Sequence, residues 1–230
     1  MNKKKLISFF IVACCALYTM AAKVVWQIGA ADNSGAELAL GPSEYKSFLA
    51  HDFGYEERYF LIGTSVDKTD FPYVLPGPDD TWGGTWGTSG WRTHDANILF
   101  GVEKLPKRGE WKLVVDLVDA NPNRSIVKVV VNSVEKKFEI KGHAMEVLEG
   151  NLQNAREQVL EFPISAADLK KGGNIVTVSV LEGGWIVFDQ IRLEGSDGLV
   201  LEQNNEYAFL RDVSPAGYEI ELDGVNVQPL

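Results

Sequence analysis

The sequence predicts an all-β protein, an antiparallel two-sheet sandwich, on three observations. Apolar and polar residues alternate with period two over several runs, and the runs are rich in β-branched side chains. Clusters of Gly, Asn and Pro separate them, and no long amphipathic helix lies between. Antiparallel strands joined by tight turns pack as a sandwich when one face of each sheet is apolar.

In chain order, the first 22 residues stand apart. Lys3, Lys4 and Lys5 precede an apolar stretch from Leu6 to Tyr18, closed by Ala21 and Ala22. That is the anatomy of a secretory signal peptide. The stretch is shorter than the about 20 apolar residues of a membrane span. Cleavage near Ala22 fits the continued apolar run after Cys14 better than lipid attachment at Cys14. The expected product is therefore secreted or periplasmic. Both cysteines, Cys14 and Cys15, fall in this segment, so residues 23–230 contain no thiol and no disulfide.

The strand reading begins at Trp26. Ser43 is placed to cap a short turn in which Tyr45, Phe48 and Leu49 recur at helical spacing. The stretch from Asp70 to Asp95 fits neither period and reads as a long ordered loop. In the next strand Trp111, Leu113, Val115 and Leu117 share one face, with Lys112 and Asp116 opposite. Asn121–Pro122–Asn123 turns the chain into Val127, Val129 and Val131, followed by Phe138 and Ile140. Residues 143–156 read as a loop with one turn, and Ser165 with Asp168 as a single capped turn. Beyond Gly172–Gly173–Asn174, Val176, Val178 and Val180 repeat the alternation, as do Trp185, Val187, Ile191 and Leu193 after Gly183–Gly184. Tyr218, Ile220 and Leu222 lead into Asp223–Gly224, a hairpin signal, then Val225 and Val227. An isolated hairpin is marginal in water, so residues 196–230 read as a connector and the start of a further domain. The organisation expected is a signal peptide over 1–22, a sandwich over 23–195 and this tail.

The whole sequence holds 22 basic and 32 acidic side chains. Removing residues 1–22 takes away three lysines and no acid, leaving 19 against 32, a formal charge of −13. Nucleic acid is disfavoured as a partner, because its recognition rests on clustered Lys and Arg.

The chemistry-bearing stretch is the 70–95 loop. It brings Trp82, Trp86, Trp91, Arg92, His94, Asp79 and Asp80 together among glycines. Tryptophan faces stack on the C–H patches of sugars, while carboxylates and arginine hold hydroxyls and acids. These seven are the candidate carbohydrate-binding residues. The alternative is a plug, in which the tryptophans close the end of the sandwich. No catalytic motif appears: a serine elbow, a phosphate loop and a dinucleotide fingerprint are all missing. His51, His94 and His143 are too far apart in sequence for a zinc pattern. No cofactor is expected. A structural calcium is chemically admissible at Asp79–Asp80, and Asp32–Asn33–Ser34–Gly35 reads as a plain turn.

A resemblance rests on four segments: VVWQIGAADNSGAEL (24–38), RYFLIGTSVDKTDFPYV (58–74), WKLVVDLVDA…VKVVVNS (111–133) and LEFPISAADLKKGGNIVTVSVLEGGWIVFDQIRLEG (160–195). The chain resembles the carbohydrate-binding-like third domain of rhamnogalacturonan lyases of polysaccharide lyase family four. Its anchors fall on Trp26–Ile28–Gly29, Tyr59, Gly63 and Ser65, Asp70–Phe71–Pro72, Asn132, Pro163, Leu169, Gly173–Asn174 and Asp189 to Glu194. The resemblance implies a jelly-roll sandwich of the galactose-binding-like type. It does not imply lyase activity for this chain, since the family's catalytic residues lie in a separate preceding domain. The Trp82–Trp91 loop departs from the family pattern in its tryptophan and glycine content. The expected function is a secreted non-catalytic module that binds an oligosaccharide or polysaccharide, in one chain with a catalytic domain or free. The alternatives are a structural sandwich bracing such a domain, and a small glycan-cleaving enzyme using its own acids.

Overall fold

A computed structural model describes residues 23–54, 58–84, 93–202, 208–210 and 227–229. It is a two-sheet β-sandwich, and helix is confined to short turns. The strands are β1 (Lys23–Gly29), β2 (Tyr59–Leu61), β3 (Val74–Leu75), β4 (Asp95–Lys104), β5 (Glu110–Ala120), β6 (Arg124–Val131), β7 (Val134–Lys141), β8 (Gln158–Ser165), β9 (Gly172–Glu182), β10 (Ile186–Gly195), β11 (Val200–Leu201), β12 (Ala208–Leu210) and β13 (Val227–Pro229). One sheet runs β1-β10-β5-β8, with β3 continuing beside β10 where β1 has ended. The other runs β11-β4-β9-β6-β7, with β2 beside β4.

Alternation explains the layers. Leu113, Val115 and Leu117 of β5 face Val127, Val129 and Val131 of β6 and Val176, Val178 and Val180 of β9 across a dry core, each at most 1% exposed. Trp26, Trp111, Phe188 and Ile191 are buried with them, and Trp185 is fully enclosed. In β10 the simple alternation slips between Phe188 and Ile191. Register shifts against β5 around Phe188 supply the reason, since a bulge moves every following side chain to the other face. One edge strand is β7, whose Lys136, Lys137 and Lys141 stand among exposed glutamates. Charged edge strands of this kind resist pairing with a second molecule.

Two expectations are corrected. Nearly all pairings are antiparallel, but β2 runs parallel to β4, with Phe60 opposite Ile98. The three-residue β2 enters by a long crossover instead of a hairpin, which is what a parallel pair requires. The turn near Ser43 begins at Tyr45, with Glu44 at its start and no side-chain cap, so Ser43 does not cap it. The Asp223–Gly224 hairpin lies outside the described residues, as does the signal segment; β12 and β13 pair in parallel.

The ambiguous segment 143–156 is a loop with one 3-10 turn, Met145–Glu149. Asp119, fully buried at the end of β5, holds it down. Its two oxygens accept the backbone N–H groups of Ala120, His143, Ala144 and Arg156 at 2.8–3.2 Å. Asp189 does the same for the turn after β1, accepting from Ser34 N at 2.8 Å and Asp32 N at 3.4 Å. Burial pushes the Asp189 carboxyl up to about 6.

Candidate functional site

One end of the sandwich is built from three pieces of chain that are distant in sequence. Two consecutive 3-10 turns, Tyr45–Ser47 and Leu49–His51, supply Tyr45 and Phe48. The chain after β3 supplies Asp79, Asp80 and the 3-10 turn Thr81–Gly83. The residue just before β4 is His94.

Asp80 is the organising residue. Only 7% exposed, it accepts the Gly77 backbone N–H at 2.8 Å, the Trp185 backbone N–H and the indole N–H of Trp82. Burial nonetheless dominates, because desolvation disfavours the charged form, and the carboxyl is pushed up to about 7. The exposed Asp79 beside it adds to the rise.

Trp82 is therefore anchored at its polar edge while its ring stays half-buried. The ring meets Tyr45 edge-on at 5.0 Å between centroids and Phe48 at 6.1 Å, both near perpendicular. Such T-shaped contacts match the positive edge of one ring to the negative face of the next. Tyr45 is also half-buried, with Lys46 Nζ 5.5 Å over its ring. His94 lies beneath, 5% exposed, its Nε2 against the Gly83 carbonyl and its ring 5.4 Å from Phe48. Gly84 closes the turn at φ 71°, a left-handed conformation that glycine adopts without a Cβ clash.

Of the seven sequence candidates, the structure brings Asp79, Asp80, Trp82 and His94 together here. Asp79 is exposed, Trp82 half-exposed, and Asp80 and His94 buried beneath them. Trp86, Trp91 and Arg92 lie outside the described residues. Tyr45 was missed by sequence reading; its signal is an aromatic residue among exposed polar neighbours, Glu44 and Lys46. The arrangement can offer a saccharide an aromatic edge bordered by a carboxylate. Asp79 and Asp80 are not a catalytic carboxylate pair in form, since one faces solvent and the other is enclosed by donors. No group of three or more His, Cys, Asp or Glu side chains placed to hold a metal ion occurs among the described residues. Elsewhere, a cavity of about 550 Å³ opens beside Phe100–Gly101, between β2 and β11, and none of Asp79, Asp80, Trp82 and His94 lines it.

The family model described as "CBM-like: Polysaccharide lyase family 4, domain III" matches residues 24–193. The chain belongs to this family. The resemblance read from the sequence is thereby borne out, and the matched span coincides with the sandwich from β1 to β10. Among curated proteins, this family 4 domain is similar to a rhamnogalacturonate lyase of Dickeya dadantii, 24% identical over 185 residues. The match covers 75% of this chain and 28% of the lyase, so the chain spans little more than a quarter of that relative. Among solved structures, it is similar to a family 35 carbohydrate-binding module from an environmental isolate, at 16% identity and TM-score 0.34. That match covers 48% of this chain and 71% of the module. A second family 35 module, from Cellvibrio japonicus, gives 15% identity and TM-score 0.31 over 44% of this chain and 65% of that one. No helix of the described residues is long and apolar enough to cross a membrane.

Proposed function

We propose that this polysaccharide lyase family 4 domain III chain is an exported, non-catalytic module that binds saccharides at the loop end of its sandwich. The observation that carries the reading is the half-exposed Trp82 ring, set against Tyr45 and held by its indole N–H on buried Asp80. A ring fixed in this way presents a sugar with an apolar surface at little further cost in side-chain entropy. Asp79 supplies a carboxylate for hydroxyls. Trp86 and Trp91 are proposed to extend the platform, and Arg92 to grip a uronic acid through two parallel hydrogen bonds. A catalytic domain in the same chain would place this module beside a polysaccharide substrate.

Tryptophan fluorescence titration with rhamnogalacturonan oligosaccharides and neutral oligosaccharides tests the site. Affinity is expected in the micromolar to millimolar range, because small ligands bury little area against lost translational freedom. Trp82→Ala is expected to weaken binding several-fold, in line with about 1 kcal/mol for one aromatic face. Trp82→Phe keeps the ring and should retain more affinity than Trp82→Ala. A parent chain that quenches with no sugar, and variants that lose only stability, would make the tryptophans a plug and leave the bracing role in place.

Export is tested separately. The charged, apolar and small-residue segments of residues 1–22 lead to cleavage near Ala22, so mass spectrometry of exported protein should find Lys23 or a neighbour at the N-terminus. A diacylglyceryl-modified Cys14 would replace this assignment with a lipid anchor.

A further inference from the structure

The cavity between β2 and β11 lies at the opposite end of the sandwich from Trp82. Strand β10 joins the two ends: Trp185, just before it, meets Asp80, and Gly195, its last residue, pairs with Lys23. Its 10 residues separate them by about 30 Å.

The sequence builds this cavity from both ends of the sandwich. Val24, Val25, Ile62, Leu199, Val200 and Leu201 give it an aliphatic wall. Successive strand residues point to opposite faces, and the bulge in β1 between Val24 and Trp26 is what lets Val24 and Val25 border one space. The stretch from Ser196 to Glu202 is pinned at each end. Ser196 N donates to Glu110 O at 2.9 Å, the Ser196 carbonyl accepts the Trp111 indole N–H at 3.1 Å, and Glu202 N donates to Gly101 O at 2.9 Å. A Cβ on Gly101 would lie 3.0 Å from Glu202 Cβ and 3.1 Å from its Oε2, so the bare glycine leaves room for that carboxylate at the cavity. At the rim, Lys23 Nζ stands 3.8 Å from Asp197 Oδ1. Val24 and Val200 are 41% and 42% exposed, so the aliphatic wall is open to solvent. Open apolar surface in a concave site of this size, with a few polar groups beside it, is the setting of a small-ligand site.

We propose that this cavity is a second saccharide site, selective for a neutral sugar unit that carries a methyl group, such as a 6-deoxyhexose. Phe100, the one aromatic residue in the lining, is 2% exposed, so no ring face is offered to a flat sugar surface as it is at Trp82. An aliphatic wall takes up a methyl group instead, which gains by leaving water and gives up no hydrogen bond. A hydroxymethyl group in the same place would lose its hydration without a partner. Glu202 and Asp197 accept the remaining hydroxyls, which are donors. The same two carboxylates, set against the single ammonium of Lys23, repel a uronic acid. The ligand class rests on the carbohydrate-binding reading above; the location rests on the cavity.

The test is a heteronuclear NMR titration of the full chain with L-fucose and L-galactose, which differ only in the 6-hydroxyl, and with galacturonate. Fucose is expected to shift the amide resonances of Gly63, Gly101 and Gly198 with millimolar affinity, and L-galactose to bind there roughly tenfold more weakly. Val200→Ser, at an exposed position, should weaken fucose several-fold. Glu202→Gln should narrow the gap between fucose and galacturonate, because a repelling charge is gone. Trp82→Ala should leave the cavity shifts unchanged. Fucose and L-galactose that bind equally overturn the selectivity. Sugar-dependent shifts confined to Gly83 and Gly84 overturn the site and leave the loop-end reading in place. If Val200→Ser unfolds, Val24→Ser decides, and unchanged fucose affinity there overturns the site. No shift with any sugar, at either end, fails both readings. Cavity shifts that grow with protein concentration and not with sugar overturn the proposal in favour of contact with a second copy.

Discussion

Val178→Asp is expected to abolish folding. Val178 is 0% exposed in the middle of β9, opposite Ala96 of β4 on one side and Val129 of β6 on the other. A carboxylate there has no donor within a layer of valines, and an unpaired buried charge costs several kcal/mol even after the group takes up a proton. Domains of this size have only about 5–15 kcal/mol in hand, so one such group consumes much of it. Circular dichroism of the purified variant should show loss of the β-sheet spectrum, or the variant should fail to accumulate in soluble form. Val178→Ala is the control: it leaves a small cavity, retains the fold and lowers stability by about 2 kcal/mol. A Val178→Asp protein as stable as the parent would mean that this valine does not lie between the sheets.

The second large effect is a dependence of stability on pH through Asp80. The carboxyl sits near 3.8 in the unfolded chain and at about 7 in the folded one, so the native state holds its proton more tightly. A group raised on folding contributes stability that is fully present below the unfolded value and is lost as pH climbs through the folded value. That rise corresponds to about 4 kcal/mol, taken from the folded state between roughly pH 4 and 7. Asp189, raised to about 6, acts in the same direction over a slightly lower window. Urea denaturation at pH 5 and pH 8 should therefore show a parent chain less stable at the higher pH. Asp80→Asn, which imitates the neutral carboxyl, should remove most of that difference. A parent and variant with parallel pH profiles would show that Asp80 stays ionised, satisfied by Gly77, Trp82 and Trp185. Because Trp82 rests on the same carboxyl, sugar affinity is worth measuring across the same range.

The layers were legible in the sequence because strand alternation is a local property. Trp26, Trp111, Val129, Val178 and Ile191, expected in the core from their strand patterns, are all buried, and so is Phe188. What escaped was whatever depends on contacts between distant segments. The strands β2 and β3 have three and two residues, too few for a period to register. The loop-end site was half legible, since Asp79, Asp80, Trp82 and His94 are near neighbours along the chain. Tyr45 and Phe48 come from some 35 residues earlier, and nothing in the intervening sequence announces that they meet Trp82. The polar network on the outer face of the first sheet was hidden for a related reason. Lys112 and Asp116, or Gln190 and Arg192, read singly as the solvated side of a strand, and only the register of β5 against β10 sets Arg192 beside Asp116.

The pairing of β1 with β10 has a further consequence, for the order in which the chain is assembled. Lys23 meets Gly195 and Gly29 meets Gln190, so the first strand finds its partner only after some 160 residues have followed it. β10 is also the strand on which β3 and β5 depend. Topologies dominated by such distant pairings fold slowly, in milliseconds to seconds, because the closure entropy is met before the contacts that offset it. The sheet β1-β10-β5-β8 therefore cannot close before β10 has been made, and a nascent chain lacking β10 leaves β1, β3 and β5 with open edges. Until β10 arrives those edges stay open, and the chain is then most exposed to aggregation and proteolysis.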